Sequence, residues 1–194
     1  MRTTSLRCIG FATALVFIAG CGENASTTSP ATAVASSSAM RSILSSPTAV
    51  QVVTRDVALN SPVSTSAVIG AFGGTLSLPG TGLRVVVPAF AVTSPTRITV
   101  TAVAGNQVAY EFEPHGIRFL APLVVTQDLA GTGVYNGGLL QSGIVAGYFA
   151  SVSDLDPANG TALVSELLST SLSLLNHSAT FAVFHFSGYL VATD

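Results

Sequence analysis

The sequence predicts an all-β protein, an antiparallel β-sandwich, and three observations support this prediction. Short apolar or alternating runs recur between turn signals from about Ser64 to the end of the chain, as in sandwiches and barrels. Residues 97–103 alternate apolar and threonine side chains, which is the two-residue period of a strand with one buried face. Ala, Val, Ser, Thr and Gly dominate the composition, and no long amphipathic helix pattern is visible.

The predicted strands follow one another at short intervals. They cover residues 67–69, 75–78, 83–87, 97–103, 108–113, 122–126, 144–152 and 179–186. Several end at glycine or proline, such as Gly70, Pro79 and Pro88, because glycine favours turns and proline cannot donate to a strand ladder. A helix over residues 162–168 is the one alternative, and low helix propensity argues against it. A single domain over residues 65–194 accommodates all of these strands.

The first 64 residues have a different composition. A head with two arginines precedes an uncharged apolar run over residues 8–20, which is shorter than the roughly 20 residues that span a bilayer. Basic head, apolar centre and small residues at the end predict a signal peptide over residues 1–20. Residues 21–64 contain Cys21 and are rich in Ser, Thr and Ala, which predicts a flexible linker, although residues 50–64 also fit a leading strand.

The end of the apolar run reads Ile18-Ala19-Gly20-Cys21 and resembles the lipobox of bacterial lipoproteins. The resemblance implies that Cys21 is the lipid attachment site, and an ordinary secretory cleavage site beside a cysteine is the alternative. Gly22 replaces the aspartate that favours retention at the inner membrane, so the resemblance implies a lipid anchor in the bacterial cell envelope, at the outer membrane. Two or more acyl chains anchor a protein stably, so a membrane is one expected partner.

Charge and cysteine content narrow the possible functions. Without residues 1–20 the chain has five arginines, no lysine and nine acidic residues, for a net charge of −4. This balance excludes a basic surface for nucleic acid. Cys8 and Cys21 are the cysteines of the sequence, so residues 65–194 fold without a disulfide in a compartment that permits one. We expect no nucleic-acid partner and no cofactor.

Two segments resemble the ZU-five (ZU5) domain of ankyrins, netrin receptors and zonula-occludens scaffolds. The first reads Gly-Gly-Thr-Leu-Ser-Leu-Pro over residues 73–79 and Leu-Arg-Val-Val-Val-Pro over residues 83–88, followed by Ala91. It departs from the family at Phe90, where a glycine is usual. The second reads Glu-Pro-His-Gly-Ile-Arg-Phe over residues 113–119.

In the second segment Pro114, His115 and Gly116 form the motif of a structural turn, because proline ends a strand and glycine adopts the positive φ of a tight turn. The resemblance covers roughly residues 70–128. It implies a β-sandwich that is used for protein contacts and in general not for catalysis.

The triplet His185-Phe186-Ser187 is the strongest candidate for chemistry. A triplet of this kind cleaves itself in some ZU5 scaffolds and in a nucleoporin, and the resemblance implies that Ser187 attacks the Phe186 carbonyl with His185 as general base. The alternative is a terminal strand that closes the core with aromatic side chains. Cleavage would detach only the last eight residues, so we expect the bond to stay intact.

Two further groups of polar residues have an ordinary interpretation. Glu111, Glu113 and His115 lie two apart and would share one strand face, where they could bind a divalent cation, but a solvated face is the simpler prediction. The Asp154–Asn159 segment has turn-forming residues and lacks the spacing of a calcium loop. We expect no metal site.

The sequence contains none of the common catalytic motifs, such as a Gly-x-Ser-x-Gly elbow, a phosphate loop or His-Glu-x-x-His. We therefore expect a protein that is not an enzyme and that acts as a binding or structural interaction module with an unknown protein or envelope partner. Self-cleavage at the His185 triplet is the alternative. Metal or polysaccharide binding is a third possibility, which the absence of tryptophan disfavours.

Overall fold

The computed structural model describes residues 41–136 and 139–193, and it describes their side chains except those of residues 41–45 and 139. These residues belong to one compact unit of the chain. Within them the chain forms seventeen strands and one 3₁₀ helix of three residues, Val152–Asp154. The strands are β1 (Arg41–Val52), β2 (Thr54–Leu59), β3 (Val63–Ile69), β4 (Gly74–Leu78), β5 (Leu83–Val87), β6 (Thr96–Ala102), β7 (Gly105–Gln107), β8 (Ala109–Glu113), β9 (Arg118–Asp128), β10 (Tyr135–Asn136), β11 (Leu139–Leu140), β12 (Ile144–Phe149), β13 (Leu155–Asp156), β14 (Thr161–Leu168), β15 (Thr170–Ser173), β16 (Ser178–His185) and β17 (Gly188–Thr193).

Two antiparallel sheets contain most of these strands. The large sheet has the order β1-β14-β12-β17-β8-β6-β3, with β13 beside β14. The small sheet has the order β15-β16-β9-β5-β4. Two short ribbons, β2-β7 and β10-β11, complete the fold among the described residues.

The two sheets share one apolar core, which confirms the predicted all-β sandwich. In β6 the alternation predicted from the sequence is present, since Ile98 and Val100 are fully buried and Arg97 is exposed. The small sheet contributes Val85 and Leu123, among others, to the same core cluster. Each fully buried side chain of this size contributes roughly 1.5–3 kcal/mol to the free energy of unfolding. The core is therefore the main source of stability in a domain that folds without a disulfide.

Strand β1 closes part of the large sheet on itself. Its residue Gln51 pairs with Thr161 of β14 and also with Thr193 of β17. Because β12 lies between β14 and β17, the strands β1, β14, β12 and β17 form a closed ring. These four strands supply most of a second buried apolar cluster, which includes Phe149 and Leu190. Strand β17 is consequently buried on both faces.

All eight predicted strands are present, and two differences concern the ends of the domain. The strands begin at Arg41, earlier than the predicted boundary at Ser64. Most of β1 lies in the segment that its composition assigns to a linker, whereas β2 lies within residues 50–64, for which a leading strand is the alternative. The physical reason is that Val52 and Val53 are buried in the two apolar clusters, although few large side chains precede them. The segment with the alternative helix pattern forms β14. The sequence analysis did not identify β17, whose apolar run does not alternate.

Candidate functional site

Two segments that the sequence analysis singled out separately meet at one pocket. The Pro114-His115-Gly116 turn follows β8 and precedes β9, and the His185-Phe186-Ser187 triplet joins β16 of the small sheet to β17 of the large sheet. His115, Gly116 and all three residues of the triplet line an open pocket with a volume of about 510 Å³. Its remaining wall is formed by Arg118, Tyr148, Ser165 and Glu166.

Backbone hydrogen bonds hold the triplet against the turn. The Gly116 N–H donates to the Phe186 carbonyl at 3.3 Å, and the Phe186 N–H donates to the Ile117 carbonyl at 3.1 Å. The Phe186 ring is buried and packs against Phe112 and Phe119, with ring centroids 5.4 and 4.6 Å away. The triplet therefore holds the chain in place where it passes from the small sheet to the large sheet. This is the arrangement expected of a segment that closes the core with aromatic side chains.

His185 contacts groups on β14 and β17. Its Nε2 atom lies 3.5 Å from a carboxylate oxygen of Glu166, which is itself buried. Its Nδ1 atom lies 3.3 Å from the hydroxyl of Tyr189, and that hydroxyl donates to the His185 carbonyl at 2.6 Å. The ring of Tyr148 meets His185 edge-on at 5.0 Å between centroids. Both ring nitrogens are thus engaged, Nδ1 by Tyr189 four residues along the chain and Nε2 by Glu166 on a strand that the sequence does not place beside it.

Ser187 is buried and its hydroxyl points to a different strand. The hydroxyl lies 3.5 Å from the carbonyl oxygens of both Phe149 and Ala150, at the end of β12. The Ser187 carbonyl accepts a hydrogen bond of 2.9 Å from the Phe112 N–H. The serine is therefore anchored to two neighbouring strands, and the pairing of its hydroxyl with His185 that self-cleavage requires is not the arrangement found.

The possible cation-binding groups lie at the end of β8 and in the turn after it. Among the described residues there is no cluster of three or more His, Cys, Asp or Glu side chains that could hold a metal ion. Glu113 and His115 are exposed, and Glu111 faces the same side of β8 as Glu113.

The Asp154–Asn159 segment runs from the end of the 3₁₀ helix through β13 into the turn that precedes β14, so only its last part is a turn, as predicted. The Asp154 carboxylate accepts hydrogen bonds from the N–H groups of Ala150 and Ser151, at 3.1 and 3.0 Å, in a capping box. The Asn159 side-chain amide donates to Asp156 at 2.7 Å, and this bond is the largest cause of a lowered pKa of Asp156. These contacts account for both carboxylates without a bound cation.

A surface of exposed apolar side chains lies at another part of the domain. Phe72, Phe90 and Leu120 are 94%, 68% and 73% exposed, and we call these three residues the apolar surface. They lie on three segments that two backbone hydrogen bonds join: Phe90 N–H to the Ala71 carbonyl at 2.7 Å, and Leu120 N–H to the Ala91 carbonyl at 3.0 Å.

Phe90 has a backbone φ of 62°, in the left-handed region where glycine is favoured and a bulky side chain is strained. Glycine would adopt this conformation without strain. The turn that carries Phe72 is also constrained. The Gly73 N–H donates to the Gly70 carbonyl at 3.0 Å, and a side chain on Gly73 would collide with the carbonyl of Val87. The apolar surface is consequently presented by backbone with little freedom.

The predicted lipid attachment site, Cys21, lies outside the described residues, as do the predicted signal peptide and the first part of the predicted linker. Across the part of the chain that the structure describes, no helix has the length and apolar character needed to cross a membrane.

Comparison with known proteins found a family match within the domain. Residues 65–129, from β3 to the residue after β9, match the family model of the ZU5 domain. The match supports a ZU5-like domain and confirms the resemblance of the Gly-Gly and Pro-His-Gly segments, which both lie within it. ZU5 domains are associated with protein–protein interaction. A search of curated proteins found no match to this chain.

Proposed function

We propose that the protein is a lipid-anchored component of a bacterial cell envelope, most consistent with the outer membrane, and that its β-sandwich binds a protein partner through the apolar surface. The ZU5 match supports the interaction role, and the Ile18-Ala19-Gly20-Cys21 sequence supports the anchor. The partner is a protein with a complementary apolar patch, because large exposed aromatic side chains are typical energetic centres of protein interfaces.

The observation that carries the binding proposal is the combination of exposure and strain at Phe90. A phenylalanine in the left-handed region costs roughly 1–2 kcal/mol relative to an unstrained conformation. Its ring is largely exposed, so burial within this domain does not offset that cost. A binding partner that buries the Phe90 ring together with Phe72 would offset that cost. Because the backbone is already constrained, little conformational entropy is lost on binding.

The anchor and the binding surface have separate tests. The Cys21→Ser variant should lose incorporation of labelled fatty acid and move to the soluble fraction, and membrane retention of that variant would exclude the lipid anchor. For binding, a photoreactive phenylalanine analogue replaces Phe72 in the full chain in its native envelope. We expect one discrete adduct with another protein. The same analogue at Leu175, which is 91% exposed in the turn between β15 and β16, is the matched control.

The adduct should disappear when Phe90→Ser is added to the Phe72 crosslinking chain. Equal crosslinking from positions 72 and 175, or an adduct that Phe90→Ser leaves unchanged, would exclude the apolar surface as the binding site.

Self-cleavage at Phe186–Ser187 is the second candidate function. One observation favours it: the carbonyl of Phe186 accepts a hydrogen bond from the Gly116 N–H, which is a donor of the kind that stabilises an oxyanion. The contacts of Ser187 with β12 argue against it. We retain binding as the proposed function.

A further inference from the structure

Arg55 of β2 is a buried cation that its neighbours satisfy only in part. The residue is 8% exposed. Its Nη1 atom donates to the backbone carbonyl of Gln107, and its Cζ atom lies 5.3 Å from the centre of the Tyr110 ring. The two other nitrogens, Nε and Nη2, are buried and have no hydrogen-bond partner among the described residues. A buried charge that lacks an opposite charge is unfavourable, so this group requires a partner.

The neighbouring phenol does not supply the missing negative charge. Burial raises the pKa of Tyr110, and the nearby guanidinium of Arg55 lowers it less than burial raises it. The hydroxyl is thus neutral near pH 7, and it bonds Gln127 Oε1 at 2.6 Å and lies 3.2 Å from the Thr81 carbonyl. Tyr110 therefore stacks on the cation without neutralising it.

The unpaired nitrogens form a specific edge of the guanidinium. Nε and Nη2 present two parallel N–H groups, and this edge matches the two oxygens of a carboxylate. Because the Gln107 carbonyl accepts from Nη1, the Nε and Nη2 edge is the part of Arg55 that is buried without a hydrogen-bond partner among the described residues.

Arg55 also lines an open pocket of about 360 Å³. The pocket lies between the Gly80–Gly82 turn, the start of β2 and the segment that follows β9. Two exposed acidic residues, Asp56 and Asp128, line the same pocket. A simple anion would be repelled by the two carboxylates on its way to Arg55. A simple cation would be repelled by the buried guanidinium. A small molecule with both charges satisfies all three groups.

We propose that this pocket binds a small zwitterion of the amino-acid type, with its carboxylate on the Nε and Nη2 edge of Arg55 and its ammonium group at Asp56 and Asp128. A free α-amino acid and a dipeptide share this chemistry. This proposal does not depend on the apolar surface or on the lipid anchor. It can therefore fail while those two proposals hold, and they can fail while it holds.

The test measures binding of glycine and of glycylglycine to the full-length protein by calorimetry, with acetate and methylamine as single-charge probes. We expect saturable binding of glycine, of glycylglycine or of both. The probe that binds more tightly shows which distance between carboxylate and ammonium group fits the pocket. Acetate and methylamine should bind about tenfold more weakly or not at all, since each loses one charged pairing. Equal binding of acetate and the zwitterions would overturn the ammonium part of the site, and no saturable binding of either zwitterion would overturn the site.

Arg55→Lys keeps the positive charge and removes the two-pronged edge, so it should weaken zwitterion binding about tenfold. Arg97→Lys, at an exposed arginine of β6, is the matched control and should bind as the wild type does. Should Arg55→Lys fail to fold by circular dichroism, Asp56→Asn at the exposed rim decides: it must weaken binding of the zwitterions and leave acetate binding no weaker. Unchanged zwitterion binding in a folded Arg55→Lys, or in Asp56→Asn, would overturn the proposal.

Discussion

The aromatic ring of Phe149 occupies the space into which a side chain on Gly188 would extend. Gly188 begins β17 and pairs with Phe149, the last residue of β12, and both strands belong to the closed ring of the large sheet. The backbone of Gly188 is not in the left-handed region, so the requirement for glycine here is steric. The residue directly after the His185-Phe186-Ser187 triplet is thus part of the packing of the second apolar cluster.

We predict that Gly188→Ala lowers the free energy of unfolding by about 1–3 kcal/mol, because the new methyl group must displace a ring that is fully buried. Chemical denaturation of the purified protein measures the change. Gly70→Ala is the control, since a Cβ at Gly70 meets nothing within 4 Å, and it should change stability little. If Gly188→Ala left the free energy of unfolding unchanged, β12 and β17 would not be packed as described.

We predict that glycine is more stabilising than alanine at position 90, by about 1 kcal/mol, because only glycine adopts the left-handed conformation without strain. The comparison is between Phe90→Gly and Phe90→Ala, so the loss of the ring is common to both. At Ala71, whose φ is not positive, the order should reverse and Ala71→Gly should destabilise by about 0.5–1 kcal/mol. Thermal unfolding of the three variants tests the sign. An alanine at 90 that is as stable as glycine would contradict the backbone conformation.

We predict that the chain remains intact between Phe186 and Ser187. The Ser187 hydroxyl faces the carbonyl oxygens of Phe149 and Ala150, and His185 is engaged by Glu166, so the nucleophile and its base are held by different strands. Mass spectrometry of the denatured protein measures the outcome. A fragment ending at Phe186 that disappears in Ser187→Ala would show that self-cleavage occurs.

We predict that Tyr110 ionises above its ordinary pKa of 10.0 because burial disfavours the phenolate. A raised folded-state pKa contributes stability that is complete below the unfolded pKa and is lost as the pH rises through the folded value. Stability should therefore fall as the pH rises above 10.0, by a larger amount in the wild type than in Tyr110→Phe. The difference in phenolate absorbance between the two proteins should have its midpoint above pH 10.0. A midpoint at or below that value would contradict the buried position.

Local patterns were sufficient for the strands that bury one face. Ile98, Val100 and Ala102 alternate with threonines in the sequence and face the core in the structure. The ZU5 match at residues 65–129 likewise follows from local segments, and the Pro114-His115-Gly116 turn lies where its residue types predict a turn. The prediction that Cys21 carries lipid rests on local sequence alone, and it stays a prediction.

The sequence by itself determined the all-β class, the positions of eight strands and the similarity of one segment to a known domain, because each depends on residues close together in the chain. The tertiary structure alone decided the pairing of Gln51 with both Thr161 and Thr193, the burial of Arg55 and the contact of His185 with Glu166. These features join residues far apart in sequence. Their free energy comes from burial and pairing between strands, which appears only when the two sheets assemble.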